Sequence, residues 1–274
     1  MDINAIKQRL NALQSTNNTG KKEKIDYSKV YWKPKEEGKY QIRIVPSKLD
    51  PQNPFKEVFV HYVISKFPIF ALTNWGEKDP VVEFVSQLRK TNDKENWSLA
   101  KKIEPKMRVY APVIVRGEEE KGVRLWEFGK EIYMQLLGIA DDEDYGDYTD
   151  INEGRDFTLE AVTGDIGGRQ GLKSSIRIKP KVSPLSTNKT DIEKFLEEQP
   201  NILEIQSTYK MSFDKLKETL QNWLNPDAEE ADVDAEDEDE ETPFVEEPKK
   251  ESNYKLKTKE SKADKFDKLF EDED

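Results

Sequence analysis

Apolar and polar residues alternate with a period of two along six stretches of the chain: 39–45, 57–65, 106–115, 122–128, 156–163 and 172–180. In an extended backbone successive side chains point to opposite faces, so this alternation predicts six β-strands, each with one face toward a core. Helical spacing predicts helices near 80–90, 95–102, 129–139, 190–198 and 212–224. The last is the best marked. Ser212 stands as N-cap, Phe213, Leu216, Leu220, Trp223 and Leu224 form one face, and Asn225-Pro226 ends it. Residues 2–14 place Ile3, Ile6, Leu10 and Leu13 on one helical stripe, followed by a polar, basic linker over 15–24. A short amphipathic helix cannot bury its stripe alone. It is either a docking or self-association arm, or a helix packed on its own body. There is no internal repeat.

Charge divides the chain where this periodicity stops. Of 56 acids and 44 bases in all, 21 acids and 8 lysines follow residue 225, which leaves 35 acids and 36 bases before it. A nearly neutral body of 225 residues, long enough for a sizeable core, carries an acidic tail. Residues 227–247 of that tail are too acidic and too poor in apolar groups to fold by burial. Its tip places Phe266, Leu269 and Phe270 at i, i+3 and i+4, a spacing suited to helix formation in a partner's groove. Three segments are expected: an amphipathic arm and linker over 1–25, a folded body over 26–225, and a disordered acidic tail over 226–274.

The chain has no Cys and a single His, His61. Disulfides, thiolate catalysis and cysteine zinc sites are excluded, and a reducing compartment is expected. No apolar run approaches the ~18–20 residues that span a bilayer. Met1-Asp2-Ile3-Asn4 lacks a basic region followed by an apolar one, so no signal peptide is expected. These features predict a soluble, intracellular protein without a membrane partner.

Strand periodicity locates the candidate chemistry. Lys173, Ser175, Arg177, Lys179 and Lys181 share one face of 172–181; Lys106, Arg108 and Tyr110 share one of 106–110; Lys39, Gln41 and Arg43 one of 39–45; and Arg124, Trp126 and Phe128 one of 123–128. Cations that follow a phosphate backbone, with aromatics that stack bases, are what single-stranded nucleic acid requires. Lys-rich outer faces are also ordinary in antiparallel sheets, so each strand alone fits either reading. The glycine-rich stretch 164–171 lacks the Lys-Ser/Thr ending of a phosphate loop and precedes a strand, which makes it a hairpin loop. Asp141-Asp142-Glu143-Asp144 reads as a solvated loop, and His61 as a packed or surface residue without a catalytic partner pattern.

With these residues in order, the chain resembles the single-stranded-DNA-binding, helix-destabilising proteins of T4-like bacteriophages. The matching pieces are Tyr31-Trp32-Lys33-Pro34, Gln41-Ile42-Arg43-Ile44-Val45-Pro46-Ser47-Lys48, Asn53-Pro54-Phe55, Trp97-Ser98-Leu99-Ala100-Lys101-Lys102, Tyr110-Ala111-Pro112-Val113-Ile114-Val115 and Phe128-Gly129-Lys130-Glu131-Ile132-Tyr133. The resemblance covers roughly residues 30–225, and the acidic tail matches in kind. It implies an α+β, mainly β fold: an OB-fold barrel with an inserted helical subdomain, a flexible arm and a disordered tail. It implies roles in phage replication, recombination and repair in the cytoplasm of an infected bacterium. The arm would support cooperative self-association along DNA, and the tail would contact polymerase, primase or helicase-loading proteins. By matched position it points to Arg43, Lys48, Lys101, Lys102, Tyr110, Trp126 and Lys130. Such proteins carry a zinc site of one His and three Cys; His61 matches the His, but Asp79-Pro80-Val81-Val82 stands where Cys-Pro-x-Cys is expected, so no cofactor is expected. The arm is also less basic and more amphipathic than its counterparts. The reading is a zinc-free, non-enzymatic single-strand binder. A protein-interaction scaffold, using residues 2–14 and 265–274, is the alternative, and a metal-dependent nuclease a third.

Overall fold

The computed structural model describes residues 27–91, 93–165 and 170–225. The predicted arm stripe at Ile3, Ile6, Leu10 and Leu13 and the tip at Phe266, Leu269 and Phe270 lie outside them. The chain forms a mixed, mainly sheet fold. Eight strands, β1 Tyr31–Trp32, β2 Gly38–Ile44, β3 Lys56–His61, β4 Ile69–Phe70, β5 Lys106–Val115, β6 Arg124–Phe128, β7 Arg155–Asp165 and β8 Gln170–Val182, join in one sheet. Among the described residues seven α-helices accompany them: α1 Tyr27–Val30, α2 Pro80–Lys90, α3 Lys94–Ile103, α4 Lys130–Ala140, α5 Lys189–Glu197, α6 Ile202–Ser207 and α7 Phe213–Leu224.

The order β1-β6-β5-β2-β7-β8 places the ten-residue β5 at the centre. Its first half pairs with β3 and its last three residues with β2, while β6 lines the other edge. The register makes one face continuous across the sheet. Ile42, opposite Val115 and Phe157, joins Trp32, Val109, Val113, Trp126, Phe128, Leu159 and Ile178 in the largest core, closed by Tyr133 and Leu136 of α4. The opposite face carries the even positions of β5 and the odd ones of β2 and β8. Two covers lie on it. Phe195 of α5 and Leu185 pack on Val45 and Ile114, and Ile202 of α6 packs among Val58, Val60, Tyr110 and Leu125.

Helices α2, α3 and α7 share a separate core of Val81, Phe84, Leu88, Leu99, Ile103, Leu216 and Leu220 with Ile64, Ile69 and Leu72. Each has the cap its sequence calls for: Asp79 accepts from Val81 and Val82, Asp93 from Glu95, and Ser212 from Lys215. At the predicted hairpin 164–171 the described residues of β7 and β8 pair antiparallel, with Gly164 opposite Gly171 and Asp165 opposite Gln170.

Candidate nucleic-acid interface

Three cations and one aromatic ring meet where β5 leaves the covered part of its outer face. Arg108 follows Lys106 at two-residue spacing, so both side chains stand on that face. Arg108 Nε donates to the Tyr62 hydroxyl at 2.8 Å, its guanidinium lies 5.2 Å from the Tyr62 ring centre, and Glu127 Oε1 is 3.5 Å away. Burial works against the guanidinium's charge, but the Tyr62 oxygen and Glu127 outweigh it and hold Arg108 above its usual pKa. Lys106 Nζ donates to the Lys101 carbonyl and to Glu104 Oε1, both at 3.1 Å, which ties the strand to the last turn of α3. On the other side, a Cβ placed on Gly129 would stand 3.4 Å from Arg108 Nη1, so exposed Lys130, the next residue, begins α4 beside Arg108.

The track continues over α3. Trp97 lies one turn before Lys101 on the same helical face and is 54% exposed, with the Arg89 guanidinium 5.8 Å from its ring centre. Lys102 Nζ sits 5.3 Å from the Trp223 ring centre. Deeper in the face, the Lys210 ammonium lies 5.3 Å from the Trp75 ring centre and pairs with Glu77. A cation held at an aromatic ring is arranged to meet a phosphate while the ring meets a base. The exposed face of Trp97 is the clearest stacking platform along the track.

A family profile described as gp32 DNA binding protein like matches residues 36–225. The chain belongs to this family. The resemblance read from Tyr31 to Tyr133 and the profile thus agree on a gp32-like DNA-binding protein. No curated protein sequence matches the chain.

Within this gp32-like domain the predicted site residues separate into four groups. Lys101, Lys102, Lys106, Arg108 and Lys130 line the track just described. Lys173, Arg177 and Lys179 stand on the same sheet face but three strands away, on β8. Lys48 is exposed beyond β2, where its ammonium pairs with Glu197 Oε2 at 2.9 Å.

The remaining four are buried. Arg43 is 0% exposed: Nη1 donates to Asp156 Oδ1 at 3.1 Å, and Nη2 to the Asp150 and Ser183 carbonyls at 2.9 and 2.8 Å. Arg116 reaches the same carboxylate at 2.9 Å. Burial would raise the Asp156 carboxyl, but hydrogen bonds from Arg116 and Gln41 and the two guanidinium charges hold it below its ordinary range. Trp126 faces the main core, 4.4 Å from Phe128, because the even positions of β6 point inward. Arg124, at the start of that strand, is buried and bonds Glu118 at 2.6 Å. Tyr110 is on the outer face but lies under α6, and its hydroxyl donates to Glu127 Oε2 at 2.9 Å. Burial and then Glu127 push that hydroxyl far above its ordinary pKa. These four are fixed in the fold and are not presented to a ligand.

The zinc positions of the resemblance do not fit a metal. His61 Nε2 lies 3.1 Å from Asp79 Oδ2 with both side chains fully buried. The Asp79 oxygens also accept from the N–H groups of Leu72, Val81 and Val82. Val81 and Val82 offer no donor atom in their side chains, and among the described residues no three His, Cys, Asp or Glu side chains are grouped to hold an ion. Val81, Phe84, Val85 and Leu88, which follow Asp79 in α2, pack into the helical core.

Sequence reasoning missed Tyr62, Trp75, Trp97 and Lys210 as site residues. Trp97 carried a usable signal, four residues before Lys101 in a predicted helix. Trp75 and Lys210 meet across 135 positions of chain, and nothing local announces that contact.

Proposed function

We propose that the protein binds single-stranded DNA without sequence preference along the track Trp97–Lys101–Lys106–Arg108–Lys130. One observation carries this reading: in a chain of a DNA-binding family, the cations of the β5 face converge with an exposed tryptophan and with Tyr62. Phosphate neutralisation supplies salt-dependent affinity, and stacking contributes about 1–3 kcal/mol per base.

The wider proposal is a zinc-free, non-catalytic protein of phage DNA replication, recombination and repair in the host cytoplasm, built on an OB-type core. In this reading the arm over 1–25 supports cooperative self-association along DNA. The tail over 226–274 competes for the track and recruits polymerase, primase or helicase-loading proteins. The charge split of the sequence and the family membership support these roles.

Titration with oligo-dT tests the reading. Binding should quench tryptophan fluorescence, and with five phosphates neutralised log K should fall with log salt at a slope of about −3.5. Trp97→Ala should remove about 1–3 kcal/mol of binding without lowering stability, because the ring is exposed. A flat salt response and full affinity in Trp97→Ala would rule out the track, and an unshifted oligo-dT would favour a scaffold.

A further inference from the structure

The outer sheet face is basic at two places, and the covers formed by α5 and α6 lie between them. The second place is the β7–β8 hairpin. Lys173 and Arg177 are exposed on alternate positions of β8 and make no ion pair among the described residues. Lys179 Nζ donates to Gln41 Oε1 at 2.7 Å, and Lys39 pairs with Glu160 at 3.4 Å. Glu37, the other carboxylate at this surface, accepts from the Thr163 N–H at 2.8 Å. With exposed Lys181, five cations therefore face these two carboxylates, while Asp156 on the same β7 face is buried between Arg43 and Arg116.

The make-up of this surface differs from that of the track. Its outward positions are Asp156, Thr158, Glu160 and Val162 on β7 and Lys173, Ser175, Arg177, Lys179 and Lys181 on β8, without one aromatic ring. It can hold phosphates and has nothing on which to stack a base. Alternate strand positions repeat every ~6.7 Å, so Lys173 and Arg177 present their charges along a line. β7 and β8 also run past the last β2 pair, at Gly38 and Ala161, as a two-stranded ribbon.

Distance separates the two surfaces. Arg177 is opposite Thr158, Thr158 opposite Gln41, and Gln41 beside Arg116, eight positions along β5 from Arg108. Eight residues along and three strands across amount to roughly 30 Å on a flat sheet. Buried Arg43 and Ile114 occupy the interval.

We infer that the β7–β8 face is a second, stacking-free contact for the DNA phosphate backbone, reached only by nucleic acid that extends beyond the track. This rests on the reading of the chain as a single-strand binder. The backbone could belong to the same strand or to a flanking duplex, and the substrates below separate the two.

The test compares the full chain with K173E/R177E, and with K173Q/R177Q as the milder pair, by fluorescence titration. The probes are dT of about 4 and about 16 nucleotides, the ends of the usual site-size range, and a ~4-nucleotide tail on a short duplex. The variants should bind the short strand as the unaltered chain does. On the long strand, the junction, or both, binding should weaken, and on the long strand the salt slope should shrink by about 1.4. A loss on the long strand assigns the face to the same strand, and a loss on the junction alone assigns it to the duplex. Three outcomes overturn the inference. Unchanged binding on both longer probes makes the face merely solvated. Equal weakening on the short strand merges it with the track. Tighter binding by the variants makes it a seat for the acidic tail. If the unaltered chain fails to bind even the long strand, the single-strand reading itself has failed.

Discussion

Asp79 shows how one side chain organises the region beside the track. Its carboxylate caps α2, accepts from Leu72 at the start of the turn that carries Trp75, and meets His61 of β3. Burial would raise its pKa, but His61 and the backbone donors outweigh burial and hold it below its ordinary value. A carboxylate depressed in the folded state stabilises the fold above its unfolded pKa of about 3.9, and that contribution is lost as pH falls through the lower folded value. Asp79→Asn keeps the shape without the charge, so it should cost about 1.5–3 kcal/mol at pH 7. The gap to the unaltered protein should narrow at pH 3, below the ordinary carboxyl value, where the unfolded chain takes up a proton that the folded Asp79 resists. Urea unfolding at the two pH values checks this, and an equal gap at both would mean that the charge is unimportant. At this scale the sequence was only partly legible. The predicted helix near 80–90 placed Asp79 just before its start without reading it as the cap, and the His61 contact joins residues 18 positions apart.

At the scale of elements, periodicity located the strands and longer helices but not what covers them. The predicted segments at 39–45, 106–115, 156–163 and 172–180 correspond to β2, β5, β7 and β8, and parity placed Lys39, Lys106, Arg108, Arg177 and Lys179 on one face. The two-residue strands β1 and β4 and the six-residue α6 are too short to show a period. Arg43 was misread for a related reason. It alternates correctly with Lys39 and Gln41, but Asp150, Asp156 and Ser183 reach it from 107 to 140 positions away. Gly154 belongs to that junction. A Cβ there would meet the Asp150 carbonyl at 2.4 Å, Arg43 Nη2 at 2.5 Å and the Tyr148 carbonyl at 2.7 Å. Two of the three are backbone atoms that cannot swing aside. Gly154→Ala should therefore cost about 1–3 kcal/mol through overpacking, which lowers Tm by about 2–4 °C per kcal/mol. Because the junction lies away from the track, affinity for a short oligo-dT should not change. An unchanged Tm in a thermal melt would show that the loop before β7 is not packed against Arg43.

For the whole molecule, the average charge conceals the working one. The net charge of −12 is that of a tail carrying 21 acids and 8 lysines on a body with 35 acids and 36 bases. On the body, the cations of the outer sheet face are gathered rather than spread, at the track and on β8. A polyanion tethered to the same chain competes with DNA for such surfaces at the high effective concentration a short linker gives. Ending the chain before Pro226 should therefore tighten binding to oligo-dT. The gain should be largest at low salt, where the charges are least screened, and should shrink as the Debye length falls from about 10 Å at 0.1 M to about 3 Å at 1 M. Truncation should also make the salt slope steeper, since DNA then releases its counterions without displacing the tail. Titration of the full and truncated chains across a salt series measures both effects. Equal affinities at every salt concentration would show that the tail does not compete for the basic surfaces, and would leave it a handle for partners alone.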